Sequence, residues 1–260
     1  MEHKVNLEER CPTGIEGLDK LIEGGFPRGR TILVSGKCGT GKTIFASQFL
    51  YNGAAKYNEN GILLILEQNV NHLRKDLLKF NIDLKKMEDE GKIVVIDASL
   101  ARFNVDEYVT SEKKPMNKSF SLDSMEVQWR KEVVDIISNA AKEINAKRAV
   151  VDSLPALDNL AREEENIRDV IINMNYRFQG MGLTTVLVDE ITNREKLSTH
   201  AIEEYITDGV ISLHYDAAGP TAGRNLMIHK MRGTKHSEEI HPIKFKEGHG
   251  VQILGIEDVL

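Results

Sequence analysis

Apolar residues fall in two rhythms along the chain. Thr31–Ser35, Ile62–Leu66, Ile93–Asp97, Ala149–Asp152 and Thr184–Glu190 are short, β-branched and unbroken by polar alternation, as expected of strands covered by helices on both faces. Between them the spacing changes to three and four residues. Ile44 to Tyr57 has Phe45 and Phe49 at i, i+4, Val70 to Phe80 reads as helix, Ser124 to Ile144 repeats Trp129, Val133, Ile137, Ala140 and Ile144, and Glu163 to Phe178 repeats Ile167, Ile171, Met174 and Phe178. Beyond residue 209 the elements shorten: Val210–His214, Leu226–Met231, Pro242–Phe245 and Val251–Leu254 are strands separated by glycine-containing turns. This order predicts an α/β fold with a mostly parallel central sheet flanked by helices, then a mostly antiparallel C-terminal β extension. No Pro/Ser-rich linker divides the chain, so a single domain over 1–260 is expected, with a lead-in segment at 1–29, a parallel core at 30–190 and the β extension at 191–260. Ala98 to Asp123 has weak periodicity and Pro115, and reads as a surface excursion.

Composition narrows the class without naming a function. The 260 residues are 41% hydrophobic and 28% charged, ordinary for a globular protein, and the net charge of −6 gives no global pull toward nucleic acid or an anionic membrane. The N-terminus lacks a signal-peptide core and no apolar run approaches the roughly 18 residues of a membrane span, which points to a cytoplasmic protein with no membrane partner. Cys11 and Cys38 form no CxxC pair and fit a reducing compartment.

The chemistry concentrates between the first strand and the first long helix. Gly36-Lys37-Cys38-Gly39-Thr40-Gly41-Lys42-Thr43 fits the phosphate-binding loop of Gly, four residues, then Gly-Lys-Thr. Glycines let backbone N–H groups converge on an anion, and the helix that follows adds the positive end of its dipole. Lys42 then reaches the β and γ phosphates of a nucleotide, and Thr43 offers its hydroxyl to Mg²⁺. Strand, glycine loop and helix occur in the required order.

Further candidates sit at strand ends. Asp152, about a hundred residues on, is placed to hold the water shell of Mg²⁺, or else caps the next helix. Glu67 can orient and deprotonate an attacking water, or is a solvated carboxylate. Asp189-Glu190 is either a nucleotide-sensing pair or a plain cap. Lys230 and Arg232, two apart and therefore on one face, form a solvated basic edge or neutralise a transferring phosphoryl group. Cys38 is either an activated thiol at a helix N-terminus or a small buried hydrophobe. Five of the eight histidines, His214, His229, His236, His241 and His249, lie in the extension without compact ligand spacing.

TGIEGLDKLIEGGFPRG, the phosphate loop, LEQ after the second strand, AVVDSLPAL, DGVISLHY, and KMRGTKH followed by HPIKF together resemble the KaiC/RadA branch of RecA-type ATPases, over nearly the whole chain from Thr13 to Leu254. The resemblance implies a RecA-like P-loop NTPase core of archaeal type that uses ATP and Mg²⁺. It implies that Gly36 to Thr43 and Asp152 bind the nucleotide and its metal, with Asp152 as the Walker B acid and Glu67 as the water-activating glutamate. It also implies that Lys230 and Arg232 reach the γ-phosphate of a neighbouring subunit in a homo-oligomeric ring, a hexamer. Clock-type domains carry two adjacent glutamates where this chain has Glu67-Gln68. They also occur in tandem with phosphorylation sites in the second copy, so autokinase activity is not implied for one domain. Two other classes stay open. One is a RadA-like recombination ATPase holding single-stranded DNA, although Thr192–Thr199 and Asp216–Arg224 have few cations and no stacking platform. The other is an ATP-sensing module that signals to a protein partner.

Overall fold

A computed structural model describes residues 10–98, 135–160, 164–191, 197–199, 201–217 and 222–254. Within them nine strands form one sheet: β3 (Thr31–Gly36), β4 (Gly61–Ile65), β5 (Ile93–Asp97), β6 (Arg148–Asp152), β7 (Thr184–Glu190), β8 (Gly209–Asp216), β9 (Gly223–Met231), β10 (Ile240–Lys246) and β11 (Gly250–Ile253). Their spatial order is β11-β10-β9-β8-β3-β7-β6-β4-β5. Two short strands, β1 (Arg10–Cys11) and β2 (Phe26–Pro27), pair separately and antiparallel in the lead-in segment, which the sequence reading does not foresee.

The unalternating strands have the physical cause expected of them. In β3, Ile32 and Val34 enter one apolar layer while Leu33 enters the other; in β4, Leu63 and Ile65 oppose Ile62 and Leu64. The first layer is closed by helices Lys42–Lys56, Val70–Leu78 and Leu84–Asp89, the second by helical residues 135–143 and helix Glu164–Gly180. Phe45 and Phe49 are fully buried in the first layer, each contributing about 2–3 kcal/mol of burial. Asn69 starts helix Val70–Leu78 by accepting from the backbone N–H of Asn71 at 2.9 Å and of His72 at 3.3 Å. Asp83 caps Leu84–Asp89, a short helix that the periodicity does not reveal.

The division into a parallel core and a β extension is corrected at one strand. β8 pairs parallel with β3, Ile32 opposite Gly209 and Gly36 opposite Leu213, so six adjacent strands are parallel and antiparallel pairing begins only at β9. Its place among glycine-containing turns late in the chain groups β8 with the extension in sequence, but its neighbour β3 is distant along the chain. The excursion from residue 99 to Asp123, the first part of the predicted Ser124–Ile144 helix with Trp129 and Val133, and parts of the two candidate DNA loops lie outside the described residues.

Candidate active site

The carboxyl ends of β3, β4, β6 and β7 share one sheet edge, because the register sets Gly36 opposite Glu190 and Ile65 opposite Asp152. The phosphate loop leaves β3 here. Gly36 and Gly41 admit no side chain: a Cβ on Gly36 would overlap the Leu213 carbonyl oxygen, and one on Gly41, at φ +100°, would overlap the Phe245 ring. Thr40 ties the loop by donating its hydroxyl to the Lys37 carbonyl at 2.8 Å, and Lys37, Cys38 and Gly39 are exposed at its crest. Helix Lys42–Lys56 starts directly behind Gly41, so its first N–H groups open toward the loop. The ammonium of Lys42 donates to the carbonyls of Gly36 (2.8 Å) and Lys37 (2.9 Å), and lies 3.7 Å from Glu190 Oε2.

Asp152 is almost fully buried at the tip of β6, where Leu66 N–H bonds its backbone carbonyl at 2.8 Å and Gln68 Nε2 donates to its Oδ2 at 3.2 Å. Burial pushes its carboxyl up to about 6; a Thr43 hydrogen bond opposes this, the Glu67 charge adds to it, and Lys42 and Gln68 pull it back. A buried acid beside a second carboxylate and a hydroxyl is a site that a cation would relieve, so Asp152 and Thr43 suit a hard, oxygen-preferring metal such as Mg²⁺. Glu67 itself is exposed. Asp189 is fully buried and accepts from the Thr199 N–H (2.7 Å) and hydroxyl (2.8 Å), which anchors the segment beyond β7.

Cys38 is exposed, which corrects its reading as a small buried hydrophobe; Cys11 is the buried one. Lys230 and Arg232 are not beside this loop. They lie at the opposite sheet edge, because Lys230 pairs with Val210 and Arg232 N–H bonds the Asp208 carbonyl, whose own N–H bonds Thr31 at the start of β3. Thr31 and Gly36 are about 17 Å apart along an extended strand. Lys230 donates to the carbonyls of Glu204 (2.8 Å) and Thr207 (2.6 Å), and Arg232 to that of Tyr205 (3.1 Å). Burial and the Arg232 charge hold the Lys230 ammonium below the usual lysine range.

Sequence reasoning misses Arg224. It closes the stretch read as a candidate DNA loop, yet its guanidinium turns to the phosphate loop, donating to the Gly39 carbonyl (3.4 and 3.3 Å) and stacking on Phe245 at 5.1 Å and Tyr215 at 5.8 Å. A cleft of about 370 Å³ opens between them, lined by Cys38, Thr40, His214, Tyr215 and Arg224.

Comparison with known proteins places the family and the fold. A family profile described as the KaiC ATPase matches residues 11–258. A UPF0273 protein of Methanocaldococcus jannaschii is 33% identical over 234 residues, covering 90% of this chain and 92% of its own. The circadian clock oscillator protein KaiC of Thermosynechococcus vestitus is 31% identical over 248 residues, 95% of this chain but only 45% of that protein. The crystal structure of a KaiC-like protein from Pyrococcus horikoshii superposes with a TM-score of 0.76 at 36% identity, covering 95% of this chain and 99% of the other. The chain belongs to the KaiC family of ATPases, on a RecA-like fold.

Proposed function

We propose that the protein binds MgATP at the carboxyl edge of the sheet and hydrolyses it slowly, in a ring whose sites are completed by the neighbouring subunit. The observation that carries this reading is the separation of charges. Lys42, Thr43, Asp152 and Glu67 gather around the phosphate loop, while the half-exposed guanidinium of Arg232 occupies the opposite edge of the same subunit. Phosphoryl transfer spreads negative charge over the equatorial oxygens and recruits a cation beyond the loop lysine. Arg232 is too distant to serve its own loop, so it acts across an interface.

Lys42, with the loop N–H groups, binds the β and γ phosphates, giving up its carbonyl contacts to Gly36 and Lys37 for the anion. Asp152 and Thr43 hold Mg²⁺, which when bound neutralises phosphate charge. Glu67 accepts the proton of the attacking water. Tyr215 and Arg224 flank the cleft beside the loop and suit the base and ribose, through stacking and cation–π contact. A ring of six, as the family resemblance suggests, closes the heterologous contact.

Mixed rings test the reading. Arg232→Ala and Glu67→Gln rings should each be inactive, yet a mixture should recover activity, because an Arg232→Ala loop beside a Glu67→Gln donor has both groups intact. A mixture that forms rings and stays inactive contradicts it.

A further inference from the structure

Arg232 is a long, half-exposed side chain placed just beyond the end of β9, and a guanidinium that must meet a phosphate across an interface is effective only if its orientation is set beforehand. The groups around it show what sets it. Asp208 is buried to within 2% of its surface, immediately before β8, and its carboxylate is shared. Oδ2 accepts from the Thr31 N–H at 3.3 Å and from Gln179 Nε2 at 3.0 Å, which fixes it to the first residue of β3 and to helix Glu164–Gly180. Oδ1 takes Arg30 Nη1 at 2.8 Å and lies 3.7 Å from Arg232 Nη1. The Asp208 carbonyl also accepts the Arg232 N–H at 2.8 Å, so this residue holds Arg232 by main chain and side chain together.

We propose that Asp208 is the positioning residue for Arg232, orienting its guanidinium for a phosphate on the next subunit; this rests on the composite-site reading above. Lys230 supports the arrangement from within the subunit. Its ammonium is held by the Glu204 and Thr207 carbonyls, which pins the 203–208 segment against β9. Arg30, also half exposed, contacts the same Oδ1 but is not the cation that Asp208 aims at the interface. The link has a second consequence. Thr31 begins the strand that carries the phosphate loop at its other end, so the donor arginine and the subunit's own loop are referenced to one rigid strand.

Asp208→Asn keeps the size and the acceptor oxygen but removes the charge. In homomeric rings it should lower kcat at least tenfold, while KM for ATP and directly measured ATP affinity change less than twofold. Mixed with Glu67→Gln subunits it should recover activity as Arg232→Ala does, since only its donor side is impaired. Arg30→Ala should keep turnover within twofold. The assays are run well below the melting temperature of each variant, on rings verified by size exclusion. Wild-type kcat in Asp208→Asn overturns the inference, as does a loss that Glu67→Gln subunits do not rescue, or an equal loss in Arg30→Ala. If Arg232→Ala itself fails to complement Glu67→Gln, the composite site falls and Asp208's role with it. If Arg232→Ala complements and Asp208→Asn does not, only the role of Asp208 fails.

Discussion

The carboxylate of Glu190 stands 3.7 Å from the ammonium of Lys42, at the tip of the strand next to the phosphate loop. A γ-phosphate drawn to Lys42 therefore meets a negative charge already there. Glu190→Gln removes that repulsion and should tighten ATP binding by about threefold to tenfold, on the order of 1 kcal/mol for a partly solvated pair, with less effect on ADP. Calorimetric titration with each nucleotide checks this. Unchanged or weaker ATP affinity would refute the assignment of Glu190 to the phosphate position.

The buried ion pair at the far edge gives a prediction about stability. Arg148 is fully buried, donating from Nε to Glu59 at 2.7 Å, from Nη1 to the Phe49 carbonyl at 2.9 Å and from Nη2 to the Pro12 carbonyl at 2.8 Å. A Cβ on Gly53 would overlap it, so the P-loop helix is shaped around this side chain. Arg148→Met leaves the Phe49 and Pro12 carbonyls without this donor and Glu59 with Arg28 alone as its ion-pair partner, and should destabilise the fold by about 3–5 kcal/mol. Urea unfolding measures it; a loss below about 1 kcal/mol would mean that the network contributes little.

The two cysteines should part company in a thiol-labelling experiment. Burial pushes the Cys11 thiol up to about 11, only partly offset by the Arg148 charge, so near pH 8 its thiolate is about a hundredfold scarcer than at the ordinary value of 9.0. Cys38 is exposed beside Lys37 and Gly39. Alkylation near pH 8 should label Cys38 first, and MgATP should slow it at least tenfold. Equal Cys38 rates with and without nucleotide would argue against phosphate occupying the loop crest. Because the folded thiol keeps its proton longer than the unfolded one, Cys11 adds stability below pH 9 that fades as pH rises toward 11.

What the sequence reveals here follows how local each signal is. Gly36 to Thr43 and Asp152 are readable because a phosphate loop and an acid at the end of an apolar strand are short, contiguous patterns. The parallel placement of β8 is not, since its partner β3 lies more than 170 residues away and strand length carries no direction. Arg148, Asp208 and Arg224 look like any surface charge in sequence. Their roles arise from Glu59, Arg232 and Gly39, none of them close along the chain, and only burial or a turn toward the loop separates them from solvated residues. Lys230 and Arg232 are legible as a pair but not as two different environments, one ammonium seated on carbonyls and one half-exposed guanidinium.

Steady-state phosphate release with MgATP, alongside ATP binding to the same preparations, reads whether ATP is hydrolysed at this edge with Glu67 as the base. Glu67→Gln keeps the size of the side chain and removes its ability to accept a proton. The wild-type protein should release phosphate slowly but measurably, and Glu67→Gln should bind ATP within about threefold of wild type while releasing phosphate at least a hundredfold more slowly. Equal phosphate release by the two proteins would contradict the account.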